Sequence, residues 1–418
     1  MTRADSSEAR PASRTAGARP GFVFLYALAY AVLWLALLTP IIVTLALKVQ
    51  QLAPGDTTRP LSLVFGVGAI FALVSNPLFG ALSDRTTSRF GRRRPWLVGG
   101  ILCGLFALAM IGAASNITTV LIGWCIAQLA FNATLAALVA VLPDQVPIAQ
   151  RGTVAGILGV CMPVGNVAGT FLVQALPQNI WMALVVPGAI GTAGVLLFAF
   201  TIDDPPIGAR PPASQQNFFS TYLIDPRQHP DFAWAWISRV FFVMGTATFQ
   251  AYQPLFLMDH LGIAVHALPN HVFESTLLQS ALLVISSAIG GRLSDRFGRR
   301  KIFVFAGSAV YGMGLWLIGT ADSYSAFLIG VAATGIGQGT YVGVDLALFT
   351  DVLPRQKEDA AKDLGLVNVT NTLPQILSPA IAPWILAASD SGYAVLFSAA
   401  GLLCLFGSLA ILPLKQVR

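Results

Sequence analysis

The sequence predicts an all-α membrane protein whose twelve transmembrane helices form two pseudo-symmetric six-helix bundles. Three observations predict it. First, mean hydropathy is +0.71, and only 11% of the 418 residues are charged against 55% hydrophobic, whereas soluble domains carry about 25% charged residues. Second, apolar runs of roughly 20 residues, the length that spans a bilayer, recur along the whole chain. Third, one charged segment occurs twice. It reads Gly80-Ala-Leu-Ser-Asp84-Arg85-Thr-Thr-Ser-Arg89-Phe-Gly91-Arg92-Arg93-Arg94-Pro95-Trp96, and returns as Gly291-Arg-Leu-Ser-Asp295-Arg296-Phe-Gly298-Arg299-Arg300-Lys301. Gly80 and Gly291 are 211 positions apart and Gly91 and Gly298 are 207 apart, so the first copy carries four extra residues, Thr86 to Arg89. Such self-similarity is the mark of an internal duplication.

Residues 1–20 hold Arg3, Arg10, Arg14 and Arg19 among Ser, Ala, Pro and Thr, and read as a disordered cytoplasmic tail rather than a cleaved leader. Spanning runs follow near 22–47, 61–83, 96–114, 117–142, 152–175 and 180–200, and make an N-terminal bundle over 21–200. The polar, proline-rich stretch 201–231, with Pro205-Pro206 and Pro211-Pro212, reads as a cytoplasmic linker. Six further runs, near 232–256, 272–290, 301–320, 324–353, 364–387 and 393–413, make a C-terminal bundle over 232–413, followed by a short tail at 414–418. With the N-terminus inside, inside segments hold 22 of the 25 basic residues, against Lys48 and Arg59 outside and Arg239 within a helix. Basic loops stay cytoplasmic, so both termini are expected there, in the inner membrane of a bacterium. The same topology accounts for the net charge of +6 and leaves no basic face for nucleic acid. Cys103, Cys125, Cys161 and Cys404 all lie in apolar runs without ligand spacing, so neither a disulfide nor a metal site is expected.

The duplicated Gly-Asp-Arg-basic loop between helices two and three and between eight and nine resembles the signature loop of the major facilitator superfamily, over the whole chain. That resemblance implies the fold of two six-helix bundles and a cytoplasmic latch in the outward-facing state, made here by Gly80, Asp84, Arg85 and Arg92 with Gly291, Asp295, Arg296 and Arg299 as counterparts. The plainer reading is that these charges only hold topology. The longer loop from Ser83 to Pro95, with Leu37-Leu-Thr-Pro40 in helix one and Val164-Gly-Asn166-Val167 in helix five, is similar to the sucrose transporters and their glycoside-transporting bacterial relatives. In that branch an Asp of helix four is tied to proton coupling, and Asp144 stands at the matching place, although the pattern's Arg is Val139 here. The alternative pairs Asp144 with Arg151 or with the loop arginines. Asp351, 207 positions on, repeats it, and Asp144, Arg151 and Asp351 are counted with the latch residues.

Two charges lie deeper. Arg239 is about eight residues into helix seven and Asp345 about eight residues before the end of helix ten, so at roughly 1.5 Å per residue both sit about 12 Å along their helices. An unpaired charge near mid-membrane costs at least about 2.5 to 3.5 kcal/mol, so the two are expected to pair. Such a pair serves either as static glue or as a proton-coupling site. Polar residues also recur at spacings of three, four and seven, which put them on single helix stripes: Gln128 and Asn132; Arg239, Thr246, Gln250 and Gln253; Gln338, Tyr341 and Asp345; Asn368, Asn371 and Gln375. They point to a wet cavity or to neighbouring helices. Tyr26, Tyr30 and Trp34 form an aromatic stripe that either packs or stacks on a sugar ring, and Asn166 joins the cavity candidates.

Helix two carries no acidic residue, which disfavours sodium coupling. No phosphate-binding glycine loop and no nucleophile–base set occurs, so the chain is not read as an enzyme. His260, His266 and His271 read as a solvated outer loop rather than a metal site. Together these features predict a monomeric, multi-pass carrier in the lipid bilayer that moves a sugar or glycoside with protons, driven by the proton gradient and without a cofactor. The rival readings are a proton-driven exporter of a more apolar compound and a transporter-derived sensor without flux, against which stands the lack of an appended soluble domain.

Overall fold

The structure is a computed structural model and describes residues 20–176, 179–206, 230–352, 360–388 and 392–414. The expected tail over 1–20, apart from Pro20, most of the expected linker, and residues 415–418 lie outside the described residues. Twelve long helices follow one another: α1 Pro20–Leu52, α2 Thr58–Asp84, α3 Arg94–Ala113, α4 Ile117–Gln145, α5 Ile148–Ala175, α6 Ile180–Thr201, α7 Pro230–His260, α8 Leu268–Phe297, α9 Arg300–Gly319, α10 Tyr324–Val352, α11 Ala360–Ala387 and α12 Gly392–Leu409. Eleven of them are long and apolar enough to cross a membrane by the described residues alone.

The chain is all-helical because a backbone in lipid must bond to itself, and its twelve proline- and glycine-punctuated helices use that freedom locally. Pro40 has no N–H, and its ring displaces the carbonyl one turn back. The ladder of α1 therefore widens to a π turn over Pro40–Thr44, with Leu45 N–H bonding Pro40 O. In α7 the same device recurs six helices later: Pro254 precedes a π turn over Phe256–His260.

Helix ends fall beyond the apolar runs. The run near 272–290 belongs to a helix that continues to Phe297, so Arg292, Asp295 and Arg296 occupy its last turns rather than a loop. The reason is that hydropathy senses only the lipid-facing centre, whereas the backbone ladder continues until Gly298 adopts a left-handed conformation at φ 61° and caps it. Likewise α5 begins at Ile148 and includes Arg151, and α2 extends through Asp84.

Packing repeats with a shift of six. In the first half α1 packs on α5 and α6, α3 on α4 and α6, and α2 on α4; in the second half α7 packs on α11 and α12, α9 on α10 and α12, and α8 on α10. The halves meet through α2 with α11 and α5 with α8, again a pair related by that shift. Lipid offers no hydrophobic gain between helices, so close backbones and hydrogen bonds hold them. Tyr26 is an example. It is fully buried, donates its hydroxyl to Leu138 O of α4 at 2.7 Å and stacks on Phe198 of α6.

Candidate functional site

A cavity of about 930 Å³ lies between the halves. Its walls come from α1, α2, α4 and α5 on one side and α7, α8, α10 and α11 on the other. Among the described residues the remaining four helices contribute nothing to it and stand behind as supports. Its two charged lining residues among those described are Arg239 and Asp345, and they meet: Arg239 Nη1 donates to Asp345 Oδ2 at 2.5 Å. Arg239 Nη2 also reaches Asn371 Oδ1 at 3.3 Å, and the Tyr341 hydroxyl bonds Asp345. Tyr341 in turn lies flat on Phe242, ring centroids 3.7 Å apart, so the carboxylate is held by a clamped phenol one turn away. Both charged side chains are nearly buried, at 16% and 9% exposure. An isolated charge there would be costly, and the pair with its added hydrogen bonds removes that cost.

Around this pair the second half supplies Thr246, Gln250, Gln338, Asn371 and Gln375, and the first half supplies Trp34, Asn76, Gln128 and Asn132. Asn132 Nδ2 donates to Gln128 O at 2.9 Å, and Gln375 Nε2 to Asn371 O at 3.1 Å, which fixes these carboxamides by one-turn contacts. The indole nitrogens of Trp34 and Trp124, both in the wall, are buried without a partner.

Several expected cavity residues are elsewhere. Tyr26 is consumed by packing, as described, and Tyr30 sits edge-on between Tyr26 and Trp34 without lining the cavity. Gln253 is buried and donates to Ser275 Oγ at 2.6 Å on α8. Asn166 is not in the wall, and its Oδ1 is buried without a partner. In each case helical spacing marks a polar or aromatic stripe, but a stripe can face a neighbouring helix as well as a void. The side chains of Asn368 and Asp351 lie outside the described residues. Asn76 and Trp124 also line the cavity; Asn76 has no polar residue three or four positions away, whereas Trp124 lies one turn before Gln128 on the stripe of Gln128 and Asn132 but is aromatic, so a search for polar stripes passes over it.

The duplicated charged segments mark one end of the bundle, the basic end. There Arg93, 5% exposed, is the hub. It bonds Asp84 at 2.6 Å, Asp144 at 2.9 Å and Ser83 Oγ at 2.8 Å, while Arg92 also holds Asp144 at 2.6 Å. Asp144 is thus paired with the loop arginines, outside the cavity. Arg151 does not pair with it; it donates to Val146 O and Pro143 O at the end of α4. Asp204 accepts from the Arg93 and Arg94 amides at 2.7 and 2.8 Å, capping α3 from the end of α6. Arg94 returns the service by donating to Ala199 O and Ile202 O. Lys301, 207 positions on, does the same for Leu412 O and Leu414 O. Asp204 also packs against Gly91, at φ 103°, where any side chain would be strained and would meet its carboxylate.

These bonds stay within the first half. The expected latch between halves is not formed in this conformation by Asp84, Arg92 or Asp144, whose pairs are all on one side, and Arg85 enters no ion pair among the described residues. Gly80 has open space where a Cβ would stand, whereas Gly291 approaches Gly343 O of α10. Asp295, Arg296 and Arg299 are exposed and enter no ion pair among the described residues. Replacing Arg93 by Ala should leave Asp84 and Ser83 without their cation and cost about 2 to 3 kcal/mol, less than a fully buried pair because Asp84 is half exposed. Thermal unfolding of the purified protein should show a clear drop in Tm for Arg93→Ala and almost none for Arg85→Ala; equal values would remove Arg93 as the hub.

The opposite end is sealed across the halves. Ser62 and Tyr252 hydroxyls meet at 2.6 Å, Gln174 Nε2 donates to Asn270 Oδ1 at 2.6 Å, and Phe171 packs on Phe273. Asn270 Nδ2 continues to Glu274, which Tyr324 also bonds at 3.0 Å. His260 stacks on Phe256, and the His271 ring rests edge-on against Tyr324. No cluster of metal-ligating residues occurs among the described residues.

Two six-helix halves, pseudo-symmetric about a central cavity and sealed at one end, have the architecture of a membrane transporter. The chain belongs to the Major Facilitator Superfamily, whose model matches residues 21–284 and again 275–417, a family of transporters rather than enzymes. The sucrose transport protein SUC4 of Arabidopsis thaliana is 32% identical over 155 residues, 33% of this chain and 29% of that protein. The general alpha-glucoside permease of Schizosaccharomyces pombe is 31% identical over 132 residues, 28% and 24% of the two chains. The uncharacterized MFS-type transporter YfiU of Bacillus subtilis is 32% identical over 104 residues, 25% and 20%. The chain spans less than a third of the length of each of these relatives. Among solved structures, a nucleoside transporter NupG mutant matches with a TM-score of 0.73 at 14% identity, covering 94% of this chain and all of that one. An inward-facing, occupied bacterial homolog of the human lysosomal transporter Spinster matches at 0.68 and 13%, over 94% and 95%. These likenesses show the shared fold.

Proposed function

We propose that this chain is a proton-coupled symporter of a sugar or glycoside, acting by alternating access as a monomer in the bacterial inner membrane with both termini cytoplasmic. The observation that carries the reading is the Arg239–Asp345 pair, set in a cavity whose polar lining is otherwise carboxamides and hydroxyls between broad apolar surfaces. Carboxamides both donate and accept, and so do sugar hydroxyls, while the apolar surface of a sugar ring suits the more apolar first-half wall. A carboxylate whose cation can be drawn away by a substrate hydroxyl is a site for a proton that travels with the substrate. The names of the sucrose and alpha-glucoside relatives point the same way. With the basic end cytoplasmic, the seal at the other end makes this conformer inward-facing. Asp144, held by two arginines away from the cavity, is the weaker coupling candidate.

The test is sugar-induced proton movement. Lightly buffered, energised cells expressing the protein should alkalinise the medium when sucrose, maltose or a methyl glucoside is added. Sugar counterflow without alkalinisation would remove proton coupling, and neither signal with any glycoside would remove the sugar. The apolar first-half wall also favours a second reading, proton-driven export of a more apolar compound, in which sugars leave the external pH unchanged and cells preloaded with that compound expel it faster when the medium is made acidic.

A further inference from the structure

The two copies of the charged segment share the run Arg-Phe-Gly-Arg, as Arg89-Phe90-Gly91-Arg92 and, 207 positions on, as Arg296-Phe297-Gly298-Arg299. Both phenylalanines are turned outward, at 56% and 63% exposure. The glycine after each takes the left-handed conformation, at φ 103° and 61°, so the chain turns off directly behind the ring towards α3 and α9. Neither ring lines the central cavity. A large apolar ring left among charges costs free energy in water, and its recurrence at equivalent places of both halves calls for an apolar phase at that level.

The neighbouring residues identify that phase. On α8, Arg292, Leu293, Arg296 and Phe297 follow Ile289 at spacings of three, four, seven and eight, so the five share one face, and all are exposed. None of them lines the central cavity. The face is continuous with exposed Ile285 one turn earlier; it begins as apolar surface of a spanning helix and ends in two guanidiniums and a ring. Arg299 is exposed just beyond it, while Asp295, also exposed, is turned about 100° from Arg296 as an adjacent helical residue must be. Arg292, Arg296 and Arg299 enter no ion pair among the described residues. In the first half, exposed Val74, Leu78 and Leu82 form the apolar stripe of α2. Beyond it Arg89, exposed and likewise without an ion pair among the described residues, lies 4.7 Å from the centroid of the Phe90 ring. Each tip joins exposed apolar surface to unspent positive charge.

We propose that these two tips are binding sites for an anionic phospholipid of the leaflet at the basic end. Guanidinium groups hold the headgroup phosphate, Arg292, Arg296 and Arg299 at one tip and Arg89 at the other, because their planar, forked donors match phosphate oxygens. Phenylalanine beds into the boundary between headgroups and acyl chains, and the negative surface of such a leaflet draws the arginines to it. A soluble acidic partner would satisfy the charges but not cover Ile285, Ile289 and Leu293 on the same face, whereas one lipid does both. Since α2 borders α11 and α8 borders α5 where the halves meet, the bound lipids tie one helix of each half to the same leaflet. Neither tip touches the transported substrate, so this holds whatever the carrier moves.

The experiment uses the full chain in nanodiscs of phosphatidylcholine with a minor fraction of phosphatidylglycerol of matched acyl chains. Photoreactive benzoyl-phenylalanine replaces Phe297 in one protein and Phe90 in another, and the adducts formed on irradiation are identified by mass spectrometry. At both positions phosphatidylglycerol should be over-represented several-fold relative to its share of the disc. Arg292→Gln, Arg296→Gln and Arg299→Gln together should bring the ratio at position 297 down to that share and leave the ratio at 90 unchanged; Arg89→Gln should do the reverse. Adducts at the bulk lipid ratio at both positions would overturn the proposal, and at one position would remove the site there. Enrichment that the neighbouring substitutions do not lower would overturn it too, since it would then come from the charge of the whole basic end. Adducts chiefly to a second copy of the chain would make the tips a protein interface instead.

Discussion

Replacing Asp345 by Asn will leave substrate exchange across proteoliposomes intact and abolish accumulation driven by a pH gradient. One pH unit corresponds to about 1.4 kcal/mol and therefore to about tenfold accumulation for one coupled proton, and the variant should reach only equal concentrations. The reasoning is geometric. Asp345 is the lone carboxylate among the described cavity residues, and Asn keeps its shape and its bond to Tyr341 while losing the titrating group. Arg239→Ala has a different signature. It leaves a nearly buried carboxylate without its cation, and breaking such a pair costs about 3 to 5 kcal/mol, so a low Tm is expected. The double variant Arg239→Gln with Asp345→Asn should recover most of that stability and none of the coupling. Undiminished gradient-driven uptake in Asp345→Asn would exclude Asp345 and return attention to Asp144. Recovery of coupling in the double variant would show the pair to be packing alone.

The second large effect concerns the sealed end. In a chain lacking its native cysteines, Gln174→Cys with Asn270→Cys should be joined by a short thiol-reactive linker, because the parent side chains touch at 2.6 Å. Joining them should stop transport nearly completely, and a cleavable linker should return activity on reduction. The physical reason is that loading from this side requires α5 and α8 to separate where Gln174, Ser62 and Phe171 now meet Asn270, Tyr252 and Phe273. Full transport by the cross-linked protein would show that these helices do not part during the cycle. Neither Gln174 nor Asn270 was singled out by sequence pattern, since a contact between halves leaves no trace in either helix alone.

The two outcomes at the charged residues show where sequence reasoning has purchase. Arg239 and Asp345 could be matched because the membrane penalises a lone charge, so depth alone selects a partner. No comparable penalty acts at the basic end, where several arginines compete for each carboxylate in partial contact with water. There the choice of Arg93 over Arg85, and the turning away of Arg151, depend on where Gly91 and Asp204 place the chain. Polar stripes on α7 and α10 were legible in the same limited way. Spacing put Gln250 and Gln253 three residues apart on one side of α7, yet about 60° of rotation sends the first into the cavity and the second into Ser275.

The sequence by itself determined the membrane class, the twelve helices and the duplication, because hydropathy, run length and a repeated motif are properties of the chain read locally against a bilayer. It also determined that Arg239 needs Asp345. Only the tertiary structure decided which stripes are wet, that Tyr26 is packing rather than binding, that Asp204 and Arg94 cap each other's helices, and which end is sealed. Those outcomes turn on how helices rotate and lean against one another, and such angles are settled by contacts between elements far apart in the sequence.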